Sequence, residues 1–411
     1  MRAIGVICEY NPFHNGHAYH LQRSRALAGE DCTVICVMSG DFVQRGEPAI
    51  YSKFARAEAA CLGGADLVVE LPLPWSLSSA EGFARGGVSL LDRLGADSIC
   101  FGSETDDIES LKAVAAILNA PAAQAEIRDA MSSDATLSYA TARQIVVRGH
   151  LGEAAGVLSR PNDILGIEYI RAIGELGSSM NALAVERIGS EHDASNGMMG
   201  FHSASELRKM LLAGESIDGE VPAACAKIYK REREQGRQQN RVLMEKAILS
   251  RLRMLNEDAF AELPDASDGL GSRIYKAVQS ESSLEAVQMA AKTKRYPLAR
   301  IRRICMCACL EINAKANRGV PPYARVLAMN EKGRAYLAFL RKKVEIPILI
   351  KPAAVDRFSK ECQALFTLGA GAHSFYTLGF DPDAKYNPSE DWMKSPSLYK
   401  IDNFQNHDWA K

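Results

Sequence analysis

Three of the eight histidines of this 411-residue chain, His14, His17 and His20, fall within seven residues behind an apolar run. Two chemistries suit such a cluster, donation to an anion and metal ligation; the plain alternative is ordinary surface or core histidine. The spacing puts the three rings on no common face of a strand, and no cysteine or carboxylate stands at a usual ligand interval, so no metal site is expected. The anion reading has local support. Ala3–Cys8 has the pattern of a buried strand, Asn11-Pro12 ends it, and Ala18–Leu27 has helical composition. Gly16 permits close approach of the backbone. Free N–H groups and the helix dipole at such a turn attract phosphate. His14-Asn15-Gly16-His17 therefore suits a nucleoside triphosphate, at a strand end where doubly wound sheets place ligands.

The elements that must hold this turn alternate. Strands are expected at Ala3–Cys8, Thr33–Met38, Asp66–Leu71, Ser98–Gly102 and Ala182–Ile188, with helices at Lys53–Leu62, Ser79–Leu94 and Ile108–Asn119. That is the order of βαβ units around a parallel sheet. From Ser203 helical patterns dominate, at Ala204–Ala213, Ala223–Leu255, Leu284–Ala291 and Ala299–Ala314. Val344–Ile350 reads as an isolated strand, and the polar tail from Asp381 as loosely held. The length favours two or three domains. The expected division is an α/β domain over 1–215 and a mainly α-helical region over 216–411.

Charge divides at the same place. Residues 1–215 hold 17 Lys+Arg against 27 Asp+Glu, a net −10, and residues 216–411 hold 32 against 23, a net +9. Such asymmetry points to a polyanion met by the second half. Its strongest stretch is Lys292-Thr293-Lys294-Arg295-Tyr296-Pro297-Leu298-Ala299-Arg300-Ile301-Arg302-Arg303, with six cations, no acid and an aromatic able to stack on a base. Lys292, Lys294, Arg295, Tyr296, Arg300, Arg302 and Arg303 are the RNA-contact candidates. No apolar run approaches the roughly 20 residues that cross a bilayer, and ten cysteines without Cys-x-x-Cys suit a reduced, cytoplasmic setting with no membrane partner.

Further polar loops follow the strands: Ser39–Pro48 leading to Lys53, Phe101-Gly102-Ser103-Glu104, Arg160–Gly166, and Glu186–Gly189. Ser203-Ala204-Ser205-Glu206-Leu207-Arg208 opens a helix with hydroxyls and a guanidinium one turn later, a combination able to hold phosphate oxygens. Plain capping explains any one of these loops; the set after a nucleotide-like first turn is harder to dismiss.

With His14-Asn15-Gly16-His17 and Ser203 to Arg208, the chain resembles the HIGH-type nucleotidyltransferase superfamily. More narrowly it resembles the bacterial tRNA(Met) cytidine acetate ligase family. The resemblance rests on Glu9–His20, Met38–Ala49, Phe101–Glu104, Asn162–Gly166 and Lys294-Arg295-Tyr296. It implies a Rossmann-like domain with a parallel sheet, followed by a mainly helical tRNA-binding region. It further implies activation of acetate by ATP, accompanied by magnesium, to acetyl-adenylate, then acetylation of the wobble cytidine of elongator tRNA(Met). His14 and His17 would serve the phosphates. Ile7, Cys8, Glu9, Tyr10, Asn11, Pro12, Phe13, His14, Asn15, Gly16, His17, Ala18, Tyr19 and His20 would wrap the nucleotide. Gly102, Asn162, Arg187 and Ile188 would surround the adenosine, and Lys53, Ser203, Ser205 and Arg208 would face the pyrophosphate.

Two other readings compete. A small-molecule adenylyltransferase would share the histidine turn but has no need of a basic second half. A non-catalytic, nucleotide-regulated RNA-binding protein would not need His14, Gly16, His17 and Arg208 together. Nothing in the chain sets an oligomeric state.

Overall fold

A computed structural model describes residues 1–105, 107–134, 136–187, 201–314, 319–341 and 343–400. It opens with β1 (Ala3–Cys8), α1 (Asn15–Ala28), β2 (Thr33–Ser39), the hairpin β3 (Phe42–Val43) and β4 (Glu47–Pro48), α2 (Lys53–Leu62) and β5 (Leu67–Leu71). Next come α3 (Ala80–Arg93), β6 (Ser98–Ser103), α4 (Ile108–Asn119), α5 (Pro121–Ser133), α6 (Tyr139–Leu151), α7 (Pro161–Glu175) and β7 (Asn181–Glu186). A helical stretch follows: α8 (Ala204–Leu212), α9 (Ala223–Glu234), α10 (Arg241–Arg253), α11 (Glu257–Ala261), α12 (Leu270–Ser280), α13 (Leu284–Ala291) and α14 (Leu298–Cys309). Last come β8 (Ala324–Asn330), α15 (Glu331–Leu340), β9 (Ile348–Leu349), α16 (Lys360–Tyr376), α17 (Glu390–Met393) and β10 (Ser397–Tyr399).

The main sheet runs β10-β8-β5-β2-β1-β6-β7, with β9 beside β8. Strands β5, β2, β1, β6 and β7 are parallel, and β8 enters antiparallel to β5. The central strands are apolar on both faces because helices cover both. Ala3 and Ile7 of β1 join the cluster under α3 and α7, while Ile4, Val6 and Cys8 join the one under α1, α2 and α9. Gly5 is needed here, since a Cβ at that position would lie 2.4 Å from the Leu91 methyls of α3. The chain leaves β1 toward β2 and later returns to its other side at β6. The switch point therefore lies between β1 and β6, and both their carboxyl ends open there.

The second half departs from expectation in three ways. The continuous helix expected over 223–255 is broken into α9 and α10 at Gly236, whose φ of +69° is the left-handed turn that ends a helix. The strand β8, unforeseen, and the short β9 and β10 join the main sheet, so the sheet takes strands from both sides of the expected boundary at 215. Val344–Ile350 is accordingly not an isolated strand: only Ile348–Leu349 is extended, paired with β8. The tail is exposed over most of 381–390 but is held at two later points, where Asp391 is fully buried and β10 pairs with β8. Helices α10, α12, α13 and α14 form an apolar core of their own, which also takes in Phe42 of the hairpin and Tyr376 of α16.

Candidate active site

His14 and His17 cap α1 reciprocally. Gly16 N–H donates to His14 Nδ1 at 3.1 Å, and His14 N–H donates to His17 Nδ1 at 3.2 Å. The rings stack with centroids 3.7 Å apart. Gly16 lets the His14 ring pack closely, since a Cβ there would lie 3.0 Å from it and the ring would have to shift by a few tenths of an ångström. With each Nδ1 accepting, the proton of each neutral imidazole sits on Nε2. Both rings are neutral near pH 7. Burial, helped by the Arg187 charge, holds His14 down to about 3. Burial likewise holds His17 well below its ordinary value, aided by His14, Arg187 and His20. His20 is held down to about 4 by burial and Arg187, against a hydrogen bond at Phe101.

The turn is thus not lined with free backbone donors, as its sequence suggests. Asn15 N–H donates to Glu220 O, Gly16 N–H to His14 Nδ1, and the His17 and Ala18 N–H groups to His14 O. What remains for an anion is the pair of Nε2–H groups. The imidazoles convert backbone donors, fixed in direction, into side-chain donors that reach farther from the helix axis.

Three residues far along the chain hold this turn. Arg56, wholly buried on α2, donates to the carbonyls of Glu9, Ser39, Gly40 and Tyr51, tying the ends of β1 and β2 together. Arg208 of α8 donates to Asn11 O at 2.7 Å and to Ser205 Oγ at 3.1 Å. Tyr229 of α9 accepts from Phe13 N–H at 2.9 Å and donates to Phe13 O at 3.2 Å. Tyr229→Phe orphans that buried N–H and is expected to cost about 1–3 kcal/mol in urea unfolding. An unchanged midpoint would mean the clamp is not needed.

At the ends of β6 and β7, Gly102, Asn162 and Arg187 converge. A Cβ on Gly102 would lie 3.2 Å from Arg187 Cγ. Glu104 accepts from the Asn162 and Asp163 N–H groups and from Asn162 Nδ2. The Asn162 Oδ1 is left as acceptor, 3.5 Å from an Arg187 nitrogen. Asp163, fully buried, accepts from Ser103 Oγ at 2.6 Å and from Glu104 N–H. Arg187 acts electrostatically on His14, His17 and His20, so the two strand ends share one site. Ile188 lies outside the described residues. Ile7 and Cys8 end β1, Glu9 to Phe13 form the turn, and Ala18, Tyr19 and His20 continue α1.

Lys53 does not face this site. It is buried and donates to Glu70 at 2.8 Å and Asp391 at 2.7 Å, with Asp41 at 3.9 Å, so carboxylates that sequence alone does not bring near occupy it. Ser203 caps α8, its Oγ accepting from Glu206 N–H. The basic stretch is also partly spoken for. Tyr296 is buried, donates to Asp268 O and is flanked by Arg295 and Arg300, so it offers no free face to a base. Arg295 pairs with Asp268, Arg300 with Asp265 O, Arg302 with Glu47, and the mostly buried Arg303 with Asp265. Lys292 and Lys294 are exposed. Sequence reasoning missed Glu104, Asp163 and Tyr229 as organisers; only the Phe101–Glu104 and Asn162–Gly166 loops carried a hint of the first two.

The family model described as HIGH Nucleotidyl Transferase matches residues 1–391. The tRNA(Met) cytidine acetate ligase of Syntrophotalea carbinolica is 38% identical over 85% of this chain and 84% of its own. That of Caldicellulosiruptor saccharolyticus is 36% identical over 94% and 96%. The crystal structure of Thermotoga maritima TmcAL bound with alpha-thio ATP superposes with a TM-score of 0.89 and 32% identity, covering 97% of this chain and all of that one. With its paired imidazoles at the switch point of a parallel sheet, the chain belongs to the HIGH nucleotidyltransferases and, within them, to the tRNA(Met) cytidine acetate ligase family.

Proposed function

We propose that this protein is an ATP-dependent ligase that forms acetyl-adenylate and transfers its acetyl group to the N4 amine of the wobble cytidine of elongator tRNA(Met). In the first step an acetate oxygen attacks the α-phosphorus and the bond to the β-phosphate breaks, releasing pyrophosphate. Charge repulsion between the two anions opposes that attack, and donors fixed on the transition-state oxygens relieve it. In the second step N4 attacks the acetyl carbon, AMP leaves and N4 gives up a proton. Cytosine N4 is a weak nucleophile, so the good leaving group is what makes transfer feasible without a covalent enzyme intermediate.

The observation that carries this reading is the neutral pair of Nε2–H donors at the carboxyl end of β1. His14 and His17 hold the phosphates, and the segment Ile7–His20 wraps the nucleotide. Asn162 Oδ1, freed by Glu104, accepts from ribose or base, Gly102 leaves room and Arg187 closes the side. Arg208 and Ser205, joined by a hydrogen bond, and the Ser203 hydroxyl face the departing pyrophosphate. Magnesium would accompany the ATP phosphates. Among the described residues no three His, Cys, Asp or Glu side chains gather to hold a metal, and no helix is long and apolar enough to cross a membrane. The ten cysteines are buried free thiols, which fits a reducing, cytoplasmic setting.

Incubation with ATP, labelled acetate and elongator tRNA(Met), followed by nucleoside analysis, tests the proposal. Acetylcytidine requiring all three is expected. Pyrophosphate release that depends on a phosphorylated metabolite would indicate an adenylyltransferase instead, and none at all a binding protein. The exposed Lys292 and Lys294 form the accessible part of the proposed tRNA surface. Replacing each with alanine should lower the slope of log affinity against log salt by about 1 per lost phosphate contact. An unchanged slope places the RNA elsewhere.

A further inference from the structure

Beside the histidine turn lies a cleft of about 290 Å³, walled by the β3–β4 hairpin, α8, α10, α13 and α14. That volume is at the lower end of the roughly 300–1,000 Å³ of small-molecule sites. Acetate is far too small for it. Resting on the function proposed above, we infer that this cleft receives the acceptor nucleotide of the RNA, a pyrimidine turned out of a single-stranded loop.

Position is the first argument. Arg208 forms the partition: its guanidinium donates to Asn11 O in the turn, and the same side chain lines the cleft. An acyl group activated beside His14 and His17 would stand one side chain away from a base held in the cleft. The second argument is continuity with the basic stretch. Arg302 lines the cleft and pairs with Glu47 of the hairpin. Gly46, at the hairpin tip with φ +76°, packs so closely on α14 that a Cβ would meet the backbone of Arg302 and Arg303 at about 2.5 Å. The hairpin and the basic stretch are therefore one rigid wall, and RNA lying on Lys292 and Lys294 would run toward the opening.

Chemistry is the third argument. Met244, Ile248 and Met306 supply an apolar, polarisable lining for the faces of a base. Arg241 is exposed at the rim, where a phosphate would lie. Gln288 accepts from Arg302 Nε through Oε1, which leaves its amide NH2 to donate. That donor suits O2 or N3 of a cytosine, whose N4 is then unblocked. Two of the carboxylates in the lining are already engaged, Glu47 by Arg302 and Glu245 by Leu284 N–H, so they do not repel a nucleotide as bare charges.

The test uses the full chain and elongator tRNA(Met) carrying 4-thiouridine at the wobble position. On irradiation, crosslinks are expected within residues 241–248, 284–288 or 302–306. Crosslinks confined to other segments overturn the assignment. In parallel, Arg241→Ala, at an exposed position, should lower kcat/KM for tRNA acetylation by roughly tenfold or more. Its acetate-dependent ATP–pyrophosphate exchange should stay within about twofold of the unaltered protein. Unchanged acetylation overturns the cleft while leaving the proposed ligase intact. If the unaltered protein shows neither exchange nor acetylcytidine, the ligase reading itself falls, and the acceptor site with it.

Discussion

Alanine at either His14 or His17 should slow acetate-dependent adenylate formation by roughly 10²–10³-fold, about 2.7–4 kcal/mol of transition-state stabilisation, with tRNA affinity unchanged. Each imidazole offers one Nε2–H donor, since its Nδ1 is occupied by a backbone N–H. The stacked rings act as a unit, so the double variant should lose less than the product of the single effects. Alanine at His14 also removes a helix cap, worth about 1 kcal/mol. His14→Asn keeps a capping oxygen while moving the donor, and should lose activity without that loss of stability. The pH profile gives an independent check. His14 titrates at about 3 and His20 at about 4, and burial holds His17 well down also. Adenylation should therefore show no inflection from these rings between pH 5 and 8. An inflection near pH 6.5 that vanishes in His17→Ala would mean that the rings work as cations.

The second large effect belongs to the buried ionic cluster behind the site. Three cations, Lys53, Arg325 and His373, meet three carboxylates, Asp41, Glu70 and Asp391. Lys53 lies 2.8 Å from Glu70 and 2.7 Å from Asp391, and His373 Nδ1 lies 2.8 Å from Asp41. Arg325 is 3.2 Å from Glu70 and in charge contact with Asp391 at 3.1 Å, its hydrogen bond going to Asp391 O. Asp391→Ala leaves two buried cations short of charge and should cost roughly 3–5 kcal/mol, read as a lower urea midpoint. An unchanged midpoint would show the cluster to be neutral in effect.

The same cluster sets a direction for pH. Burial lowers the affinity of His373 for a proton, but the charge and hydrogen bond of Asp41, with Glu390 and Asp391, outweigh it and raise the imidazole to about 9. A group raised in the folded state stabilises fully below its ordinary value near 6.5, and that stability is lost as pH rises through about 9. Up to about 3 kcal/mol should therefore disappear between pH 6.5 and 9.5. His373→Gln should flatten that slope. Burial raises the Asp41 and Asp391 carboxyls, yet the surrounding cations leave both below the ordinary range, so the acid limb begins only below about pH 4.

How much of this was legible depended on sequence distance. β1, α2, α4 and α13 match their expected spans to the residue, because each is a local pattern with its own cap or break. The histidine turn was legible for the same reason. β8 was not: Ala324–Asn330 is short and wholly buried, its apolar Val326–Met329 flanked by Arg325 and Asn330, a pattern that periodicity alone cannot distinguish from buried helix, and its partner β5 lies some 260 residues earlier. Lys53 and Tyr296 misled in the same way. Both look like ligand contacts until Asp391 and Asp268 arrive from elsewhere in the chain. Conversely, Tyr229 sits in a helix with nothing in its neighbourhood to mark the hydroxyl that clamps Phe13.

Lys53 and Asp391 are separated by 338 positions. At about 5–20 residues per second, a ribosome that has just made α2 needs roughly 17–70 s more to deliver the carboxylate that neutralises it. During that interval Lys53 has Glu70 and Asp41 within reach but lacks its third carboxylate, and the cluster with Arg325 and His373 stays open. The nascent chain should therefore carry a complete histidine turn long before it carries an active one, and competence should arrive late in synthesis, all at once.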